Sequence, residues 1–415
     1  RRGARQPSLQ AIATTADTPA AIIFTSGSTG PAKGVLYRHG NFDRQVTEIR
    51  DFYGIRPGEI DVSCFPLFGL FNAAMGVTSV IPAMNVSRPA RVDPRRIIAA
   101  VNDWQATQAF GSPAIWNAVG RYCQEHHVRL PSLRRVLSAG APVATQVLQR
   151  MASCIHPQGD MHTPYGATEA LPVASNSAAA VLSETFKRTQ QGGGVCVGRR
   201  FGGIQWRVIR ITDEPIQTTA DAKELPPGQI GELIVSGPVV TSKYFTRAEA
   251  NVLAKIRDAE SGGVWHRMGD VGYFDEHDRF WFCGRMSQRV TISSAPASGA
   301  TMFTIPCEAI FNRHPDIFRS ALVGIGPPGQ QCPAIVVEPQ PGRLPRGRYE
   351  REKLISELRI LAQTADHTAT IHDIFIHKSL PVDVRHNVKI NREELAHWAM
   401  RQLRRHRRKR QASQP

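Results

Sequence analysis

Apolar and polar positions follow two different rhythms along the chain. In the first, short apolar runs alternate with stretches of helical period. Residues 20–24 form an apolar run that predicts a buried strand. Residues 41–52 place Phe42, Val46, Ile49 and Phe52 at helical spacing. Asp93-Pro94 predicts the start of a helix over 93–104, and a strand over 106–110 follows. The turn Gly111-Ser112-Pro113-Ala114 leads into another helix. Residues 133–137 predict a strand, 138–142 a tight turn, and 143–151 a helix. Strand, glycine turn and helix recur in this order at least three times, which predicts a parallel, helix-covered sheet. Ligands of such sheets bind beyond the carboxyl ends of the strands, where the loop after residue 24 and the Gly140 turn are expected. The aromatic stretch 65–71 reads as core.

The second rhythm begins near residue 194. Segments 204–211, 232–235, 266–273 and 280–285 are short and strand-like, with Pro226-Pro227-Gly228 as a turn, and predict antiparallel strands. Beyond residue 285 the pattern reads as a small α+β unit. It includes segments 305–312, 321–325, 334–338 and 371–376 and a helix over 349–361. The expected class is α/β: a large domain over 19–285 with helix-covered sheets and a small β-barrel-like part, then a small α+β domain over 286–400. Residues 1–18 read as a linker.

Composition narrows this picture. With 415 residues there is room for two or three domains, and 41% apolar residues can build a sizeable core. No apolar run approaches the ~20 residues of a membrane span. The seven cysteines are scattered, with no C-x-x-C pair and no zinc spacing, and each reads as a buried, reduced thiol of a cytoplasmic protein. The net charge is +16, with a conspicuous share in the basic tail 401–415. Such a tail can meet nucleic acid or acidic lipid. Its expected state is a solvated, partly disordered end, and no nucleic-acid module elsewhere supports a nucleic-acid partner.

Candidate chemistry starts at Thr25-Ser26-Gly27-Ser28-Thr29-Gly30-Pro31-Ala32-Lys33-Gly34. Glycines let backbone N–H groups approach an anion, hydroxyls donate to phosphate oxygens, and Lys33 adds positive charge. The spacing is not that of a Walker loop. Tyr165-Gly166-Ala167-Thr168-Glu169 combines an aromatic face, a hydroxyl and a carboxylate. Adenine can stack on Tyr165 and Glu169 can hold Mg²⁺, although a capped helix start explains the same five residues. Asp270 follows a glycine in His266-Arg267-Met268-Gly269-Asp270 and can accept two ribose hydroxyls; a plain turn is the simpler reading.

Taken together and in order, these motifs resemble those of the adenylate-forming superfamily of acyl-CoA synthetases, luciferases and adenylation domains. The resemblance runs from about residue 20 to about residue 400. It implies ATP and Mg²⁺ as cofactors, a large adenylation domain and a mobile lid. Thr25, Ser26, Gly27, Ser28, Thr29 and Gly30 match the phosphate loop. Gly140, Ala141, Pro142, Tyr165, Gly166, Thr168, Asp270 and Arg285 match nucleotide-binding positions, and Glu169 the metal position. Lys33, Arg285 and Lys389 match catalytic positions, with Lys389 bridging the substrate carboxylate and the α-phosphate. Ser287 stands at the hinge, where the superfamily carries Asp or Lys. Met268 replaces a threonine, and Val388 a glycine.

The wording between motifs is similar to the olefin β-lactone synthetases of bacterial long-chain olefin biosynthesis. Examples are Tyr37-Arg38-His39, residues 163–173 and 266–275, Trp281-Phe282-Cys283-Gly284-Arg285 and residues 381–387. This implies adenylation of a long-chain 2-alkyl-3-hydroxy acid and closure to a β-lactone. It also implies a ketoreductase and a lactone decarboxylase of the same pathway as partners. A long-chain acyl-CoA or acyl-carrier-protein ligase is the first alternative, and an inactive nucleotide-binding relic the second. Residues 290–304 lack the K-x-x-G of thiol-using relatives, which favours the lactone. In the superfamily a segment of about one domain's length precedes the phosphate loop, so the sequence is expected to lack the first part of the large domain.

Overall fold

The computed structural model describes residues 12–25, 31–66, 68–292, 301–382 and 390–412, with side chains to residue 405 in the last of these. Strands β1 (Pro19–Phe24) and β2 (Gly34–Arg38) pair with each other antiparallel as a two-stranded hairpin. Helix α1 (His39–Tyr53) follows and ends on Gly54 in the left-handed conformation.

The large sheet is assembled next. Its elements in order are β3 (Ile60–Ser63), α2 (Phe68–Ala74), β4 (Thr78–Val80), α3 (Pro94–Asp103), β5 (Gln108–Gly111), α4 (Pro113–His126), β6 (Arg135–Ser138), α5 (Thr145–Cys154), β7 (Asp160–Ala167) and β8 (Ala170–Ser177). Short elements α6 (Ala178–Ala180), α7 (Phe186–Gln190), β9 (Val195–Cys196) and β10 (Arg199–Arg200) come after them. The strand order is β10-β8-β7-β6-β5-β3-β4. From β4 to β7 the neighbours run parallel, whereas β8 turns back antiparallel on β7. Val62, Ala109, Val136 and Met161 from the strands pack against Ile97, Val101, Trp116, Val119, Leu148 and Met151 from the helices. Trp116 is fully buried, and its indole N–H donates to the Leu137 carbonyl at 3.2 Å.

A second sheet takes over from β11 (Gln205–Ile209) and β12 (Gly231–Ser236). Helix α8 (Asn251–Ala254) leads to β13 (Lys255–Arg257), β14 (Val264–Phe274) and β15 (Phe280–Arg285). The order is β11-β12-β14-β15-β9, all antiparallel, with β13 alongside β14. Ala170 and Val173 of the first sheet share a core with Trp206, Leu233 and Phe280 of the second. Inside this sheet Arg267 meets Glu232 twice at one carboxylate oxygen, at 2.6 and 2.9 Å, with both side chains almost wholly buried. The same guanidinium donates to the carbonyls of Thr212 and Glu214, so the buried charge is fully engaged.

The remaining elements are β16 (Val290–Thr291), β17 (Thr301–Met302), α9 (Thr304–Phe311), β18 (Ile317–Ile325), β19 (Cys332–Pro339), α10 (Arg348–Ala362), β20 (Asp373–Ile376) and α11 (Arg392–Ala412). Strand β19 is central, antiparallel to β18 and parallel to β20. Its side chains alternate as a two-faced strand requires. Ile335 and Val337 pack with Phe311, Leu354 and Leu358; Ala334 and Val336 pack with Phe375, Leu395 and Ala399. Gly284, with φ +139, seats α9 against β15: a Cβ there would lie 2.4 Å from the Thr304 hydroxyl oxygen.

Several expectations require correction. Strand β1 is not buried: among the described residues its one strand partner is β2, and Ile22 and Phe24 are exposed. The segment after residue 24 therefore joins two antiparallel strands and does not cap a strand of the parallel sheet; only the Gly140 turn does. The aromatic stretch 65–71 is core only in part: Phe71 packs against Ile49, Ile55, Met75 and Val77 and Phe68 stacks on Phe110, whereas Phe65 and Leu70 are exposed. Cys332 is exposed, unlike the other six cysteines. The basic run after residue 400 continues α11 through Ala412, because the apolar stripe that anchors Leu395 and Ala399 nucleates a helix that the helix-forming Arg, Lys and Gln beyond it can propagate.

Removing one partner of the buried pair leaves the other uncompensated. Glu232→Ala is expected to lower unfolding stability by about 3 kcal/mol, read from a denaturant midpoint, while Glu232→Gln should lose less.

Candidate active site

The five residues 165–169 form the corner between β7 and β8, not a helix start. The register slips between Tyr165 and Ala167. Gly166 is needed there because a Cβ would lie 2.8 Å from the Ala170 carbonyl oxygen. The corner aims Tyr165 at the second sheet, with its ring 6.3 Å from that of Phe280 and 6.5 Å from that of Phe282. Its hydroxyl donates to Asp270 Oδ2 at 2.5 Å. Asp270 on β14 sits opposite Arg285 on β15. Asp270 Oδ1 lies 2.8 Å from Arg285 Nη1, an ion contact too far out of line to count as a hydrogen bond, and the same nitrogen donates to the Met268 carbonyl at 3.2 Å.

Burial raises the Asp270 carboxyl above its ordinary range, against the opposing pull of Arg285. Burial, and then the Asp270 charge, raise the Tyr165 phenol. The negative charge of Asp270 is the main reason the Arg285 guanidinium is held more firmly protonated. A buried carboxylate held between a phenol and a guanidinium can accept hydroxyl donors and favours a ligand that supplies them.

A second cluster lies on the other side of the same corner. Glu169 Oε1 accepts from the Tyr244 hydroxyl at 2.6 Å, and the Glu169 carbonyl accepts from both Thr241 N–H and its hydroxyl at 2.9 Å. Lys255, at the start of β13, donates to the Thr241 carbonyl at 2.6 Å. Two ammonium groups face the Tyr244 ring, Lys33 at 4.9 Å from the centroid and Lys255 at 5.9 Å. Burial depresses Lys255 to about 7, with the Glu169 charge opposing it. Burial also lowers its strand neighbour His266, and Lys255 lowers it further.

The hairpin reaches this cluster through β2. Val35 bridges to Tyr244, Phe245 N–H donates to the Gly34 carbonyl at 2.7 Å, and Gly34 N–H donates to the Thr246 hydroxyl at 2.7 Å. Thr25 and Lys33 close the intervening segment: Thr25 N–H donates to the Lys33 carbonyl at 3.0 Å, and Lys33 N–H to the Thr25 hydroxyl at 3.1 Å. Thr168 offers its carbonyl to the Tyr37 hydroxyl at 2.6 Å. Gly140, with φ +95, stands with Ala141 and Pro142 after β6; β6 runs parallel to β7, so this turn and the β7–β8 corner lie at the same end of the strands. Ser287 occupies the single helical turn Met286–Gln288 directly after β15. Ser26, Gly27, Ser28, Thr29, Gly30 and Lys389 lie outside the described residues.

Thus Tyr165, Asp270 and Arg285 come together, and so do Lys33 and Glu169. Sequence reasoning missed Tyr244, Thr241 and Lys255, which hold Glu169 and face Lys33. The pairing of β2 with the segment after Thr241 brings them there, and only the unusual buried lysine beside His266 in the β13–β14 ladder could have hinted at it. Glu169 offers a hard carboxylate, the donor type that Mg²⁺ takes alongside phosphate oxygens and water. Among the described residues, no group of three or more His, Cys, Asp or Glu gathers as a metal cage.

An α/β sheet joined to an antiparallel sheet, with the β1–β2 hairpin and a buried Asp–Arg pair at the seam, is the frame in which an adenylate-forming enzyme would be built. The chain belongs to the AMP-binding enzyme family, whose model matches residues 3–245, and its class is that of an AMP-forming, ligase-type enzyme. It is 44% identical to the olefin β-lactone synthetase of Xanthomonas campestris over 94% of this chain and 68% of that protein. Identity to the olefin β-lactone synthetase of Stenotrophomonas maltophilia is 42%, over 94% of this chain and 69% of that one. The o-succinylbenzoate CoA synthetase of Bacillus subtilis, solved with its acyl-adenylate intermediate, superposes with a TM-score of 0.69 at 20% identity, over 92% of this chain and 69% of that one. That likeness concerns the fold. Among the described residues no helix is long and apolar enough to cross a membrane.

The depressed Lys255 makes stability depend on pH. Its folded value, about 7, lies below the unfolded value of 10.5. Between the two the unfolded chain binds more protons, so stability rises with pH across this window. The gap in unfolding free energy between Lys255→Met and the parent should therefore shift steadily in the parent's favour from pH 7 to pH 10, measured by denaturant titration; a pH-independent gap would contradict the assignment.

Proposed function

We propose that the enzyme activates a long-chain 2-alkyl-3-hydroxy acid with ATP and closes it to a β-lactone. The observation that carries this reading is the identity of 44% and 42%, over 94% of the chain, to two olefin β-lactone synthetases. In the first step a substrate carboxylate oxygen attacks the α-phosphorus, and the bond to pyrophosphate breaks. In the second the substrate's own 3-hydroxyl attacks the acyl carbonyl, loses its proton and expels AMP. The second step is intramolecular, so proximity replaces the binding of another nucleophile.

The residue roles belong to this proposal. Asp270 takes ribose hydroxyls, with Tyr165 and Arg285 orienting it, and Tyr165, Gly166, Thr168 and the Gly140-Ala141-Pro142 turn border the nucleotide. Residues Thr25 to Gly30 and Lys33 face the phosphates. Glu169, steadied by Tyr244, is the protein ligand for Mg²⁺, which when bound neutralises phosphate charge. Lys389 bridges the carboxylate and the α-phosphate, and Ser287 serves as the hinge. A ketoreductase before the reaction and a lactone decarboxylase after it, in the cytoplasm, complete the proposed setting.

Loss of one preorganised cation at the reacting phosphate costs roughly 10²-fold in rate. Lys389→Ala should slow ATP–pyrophosphate exchange by at least that order and change nucleotide affinity far less; exchange at the parent rate would remove Lys389 from the mechanism.

The function itself is tested by mass spectrometry of products from ATP, Mg²⁺ and a 2-alkyl-3-hydroxy acid. AMP and lactone are expected, at a rate indifferent to coenzyme A. The 3-deoxy acid should stall at the adenylate. A coenzyme A thioester without lactone would instead establish a thiol ligase.

A further inference from the structure

Helix α11 contains two unlike halves. Its first half is held in the core: Leu395 and Ala399 are fully buried against Val336 and Phe375, and Trp398 and Leu403 pack beside them. Arg392 anchors its start on Glu308, donating to Oε2 at 3.1 Å and to the Leu322 carbonyl at 3.0 Å. Apolar anchoring stops at Leu403, yet the helix runs on to Ala412.

The second half is almost purely cationic. Arg401, Arg404, Arg405, Arg407, Arg408, Lys409 and Arg410 fall within ten residues, a rod of about 15 Å at 1.5 Å per residue. Arg401, Arg404 and Arg405 are exposed. No acidic residue follows Glu394. The pairs 401/404, 401/405, 404/407, 404/408, 405/408, 405/409 and 407/410 all lie one helical turn apart and are all of like sign. Such pairs destabilise a helix unless counter-charge is supplied from outside. A helix anchored in the core through Leu403 thus continues into a run of basic residues with no acidic residue among positions 395–412. Residues 404–411 include no apolar side chain, so attachment through this rod would be electrostatic, without insertion.

We propose that the second half of α11 docks the enzyme on an anionic lipid surface. The choice of lipid over nucleic acid rests on the long-chain substrate proposed above, because such an acid and its lactone partition into membranes. Clusters of four to eight basic residues attract acidic headgroups, each charge adding to the attraction and losing it as salt rises.

The test is co-sedimentation of the purified protein with vesicles of phosphatidylcholine alone, or of phosphatidylcholine mixed with phosphatidylglycerol, in the absence of substrate. Binding is expected to the mixed vesicles only and should fall as salt is raised. The fourfold variant Arg404→Gln, Arg405→Gln, Arg407→Gln and Arg408→Gln keeps good helix formers and should weaken binding by roughly 10³-fold. A control set, Arg343→Gln, Arg346→Gln, Arg348→Gln and Arg351→Gln, removes the same charge from exposed positions elsewhere and should leave binding near the parent level. ATP–pyrophosphate exchange should be unchanged in both. Equal loss in the two variants would reduce the effect to net charge and overturn the proposal. Equal binding to neutral vesicles, no binding to either, or insensitivity to salt would overturn it without any variant. Tighter binding of a duplex oligonucleotide than of mixed vesicles at the same salt would reassign the rod to nucleic acid. None of these outcomes bears on lactone formation, which is read from products.

Discussion

The buried carboxylate of Asp270 is where the two largest sheets of the molecule meet. Tyr165 reaches it from the corner of the parallel sheet, and Arg285 from the neighbouring strand of the antiparallel one. A carboxylate so deeply buried is costly unless its oxygens are engaged, and only a docked pair of sheets supplies both partners. Much of the surrounding architecture serves that docking. The shared core of Val173, Trp206, Leu233 and Phe280 presses the sheets together. The Arg267–Glu232 pair fixes β14 against β12 a few residues before Asp270. The proposed nucleotide-binding role of Asp270 and the folding of the chain thus draw on the same seam.

The Glu169 cluster is built on a different logic. Here two ammonium groups and one carboxylate surround a single tyrosine. The ring receives the cations on its face, and its hydroxyl, at the edge, donates to the anion. A tyrosine can hold opposite charges near one another without letting them collapse into a direct pair. Such an arrangement keeps Glu169 and Lys33 oriented without pairing them, as the roles proposed for them at the metal and the phosphates require. Lys255 contributes by fixing the Thr241 segment, whose hydroxyl and amide hold the main chain of Glu169.

How much of this was legible in the sequence depends on the range of the interaction. Helix α3 was readable from Asp93-Pro94 because cap and ring act within one turn; Asp93 does accept from the Arg95 amide. The parallel strands β5 and β6 were readable from apolar runs next to glycine turns. Residues Tyr165, Asp270 and Arg285 were legible as motifs, but their contact was not, since 105 positions separate the first two. The exposure of β1 escaped because an apolar run looks alike whether it is central or on an edge, and only its pairing with β2 decides. Tyr244 and Lys255 escaped for a related reason: their roles arise from a bridge between Val35 and Tyr244 that no local pattern encodes.

The proposed second step bears on what the C-terminal unit has to do. A ligase that hands its adenylate to a thiol must make room for a second substrate after the first reaction. An internal 3-hydroxyl is already in place, so closure needs only a conformer that brings oxygen to carbonyl, and a binding wall that disfavours the extended alternatives. The seat of α9 on β15 suits this lighter demand. Thr304 sits so near Gly284 that even a methyl group would be excluded. Such close packing fits α9 to β15 in the position described, and a hinge at Ser287 would have to separate it. Hydroxyl-to-carbonyl closure favours such a position, because excluding water from the adenylate matters more to it than admitting a new nucleophile.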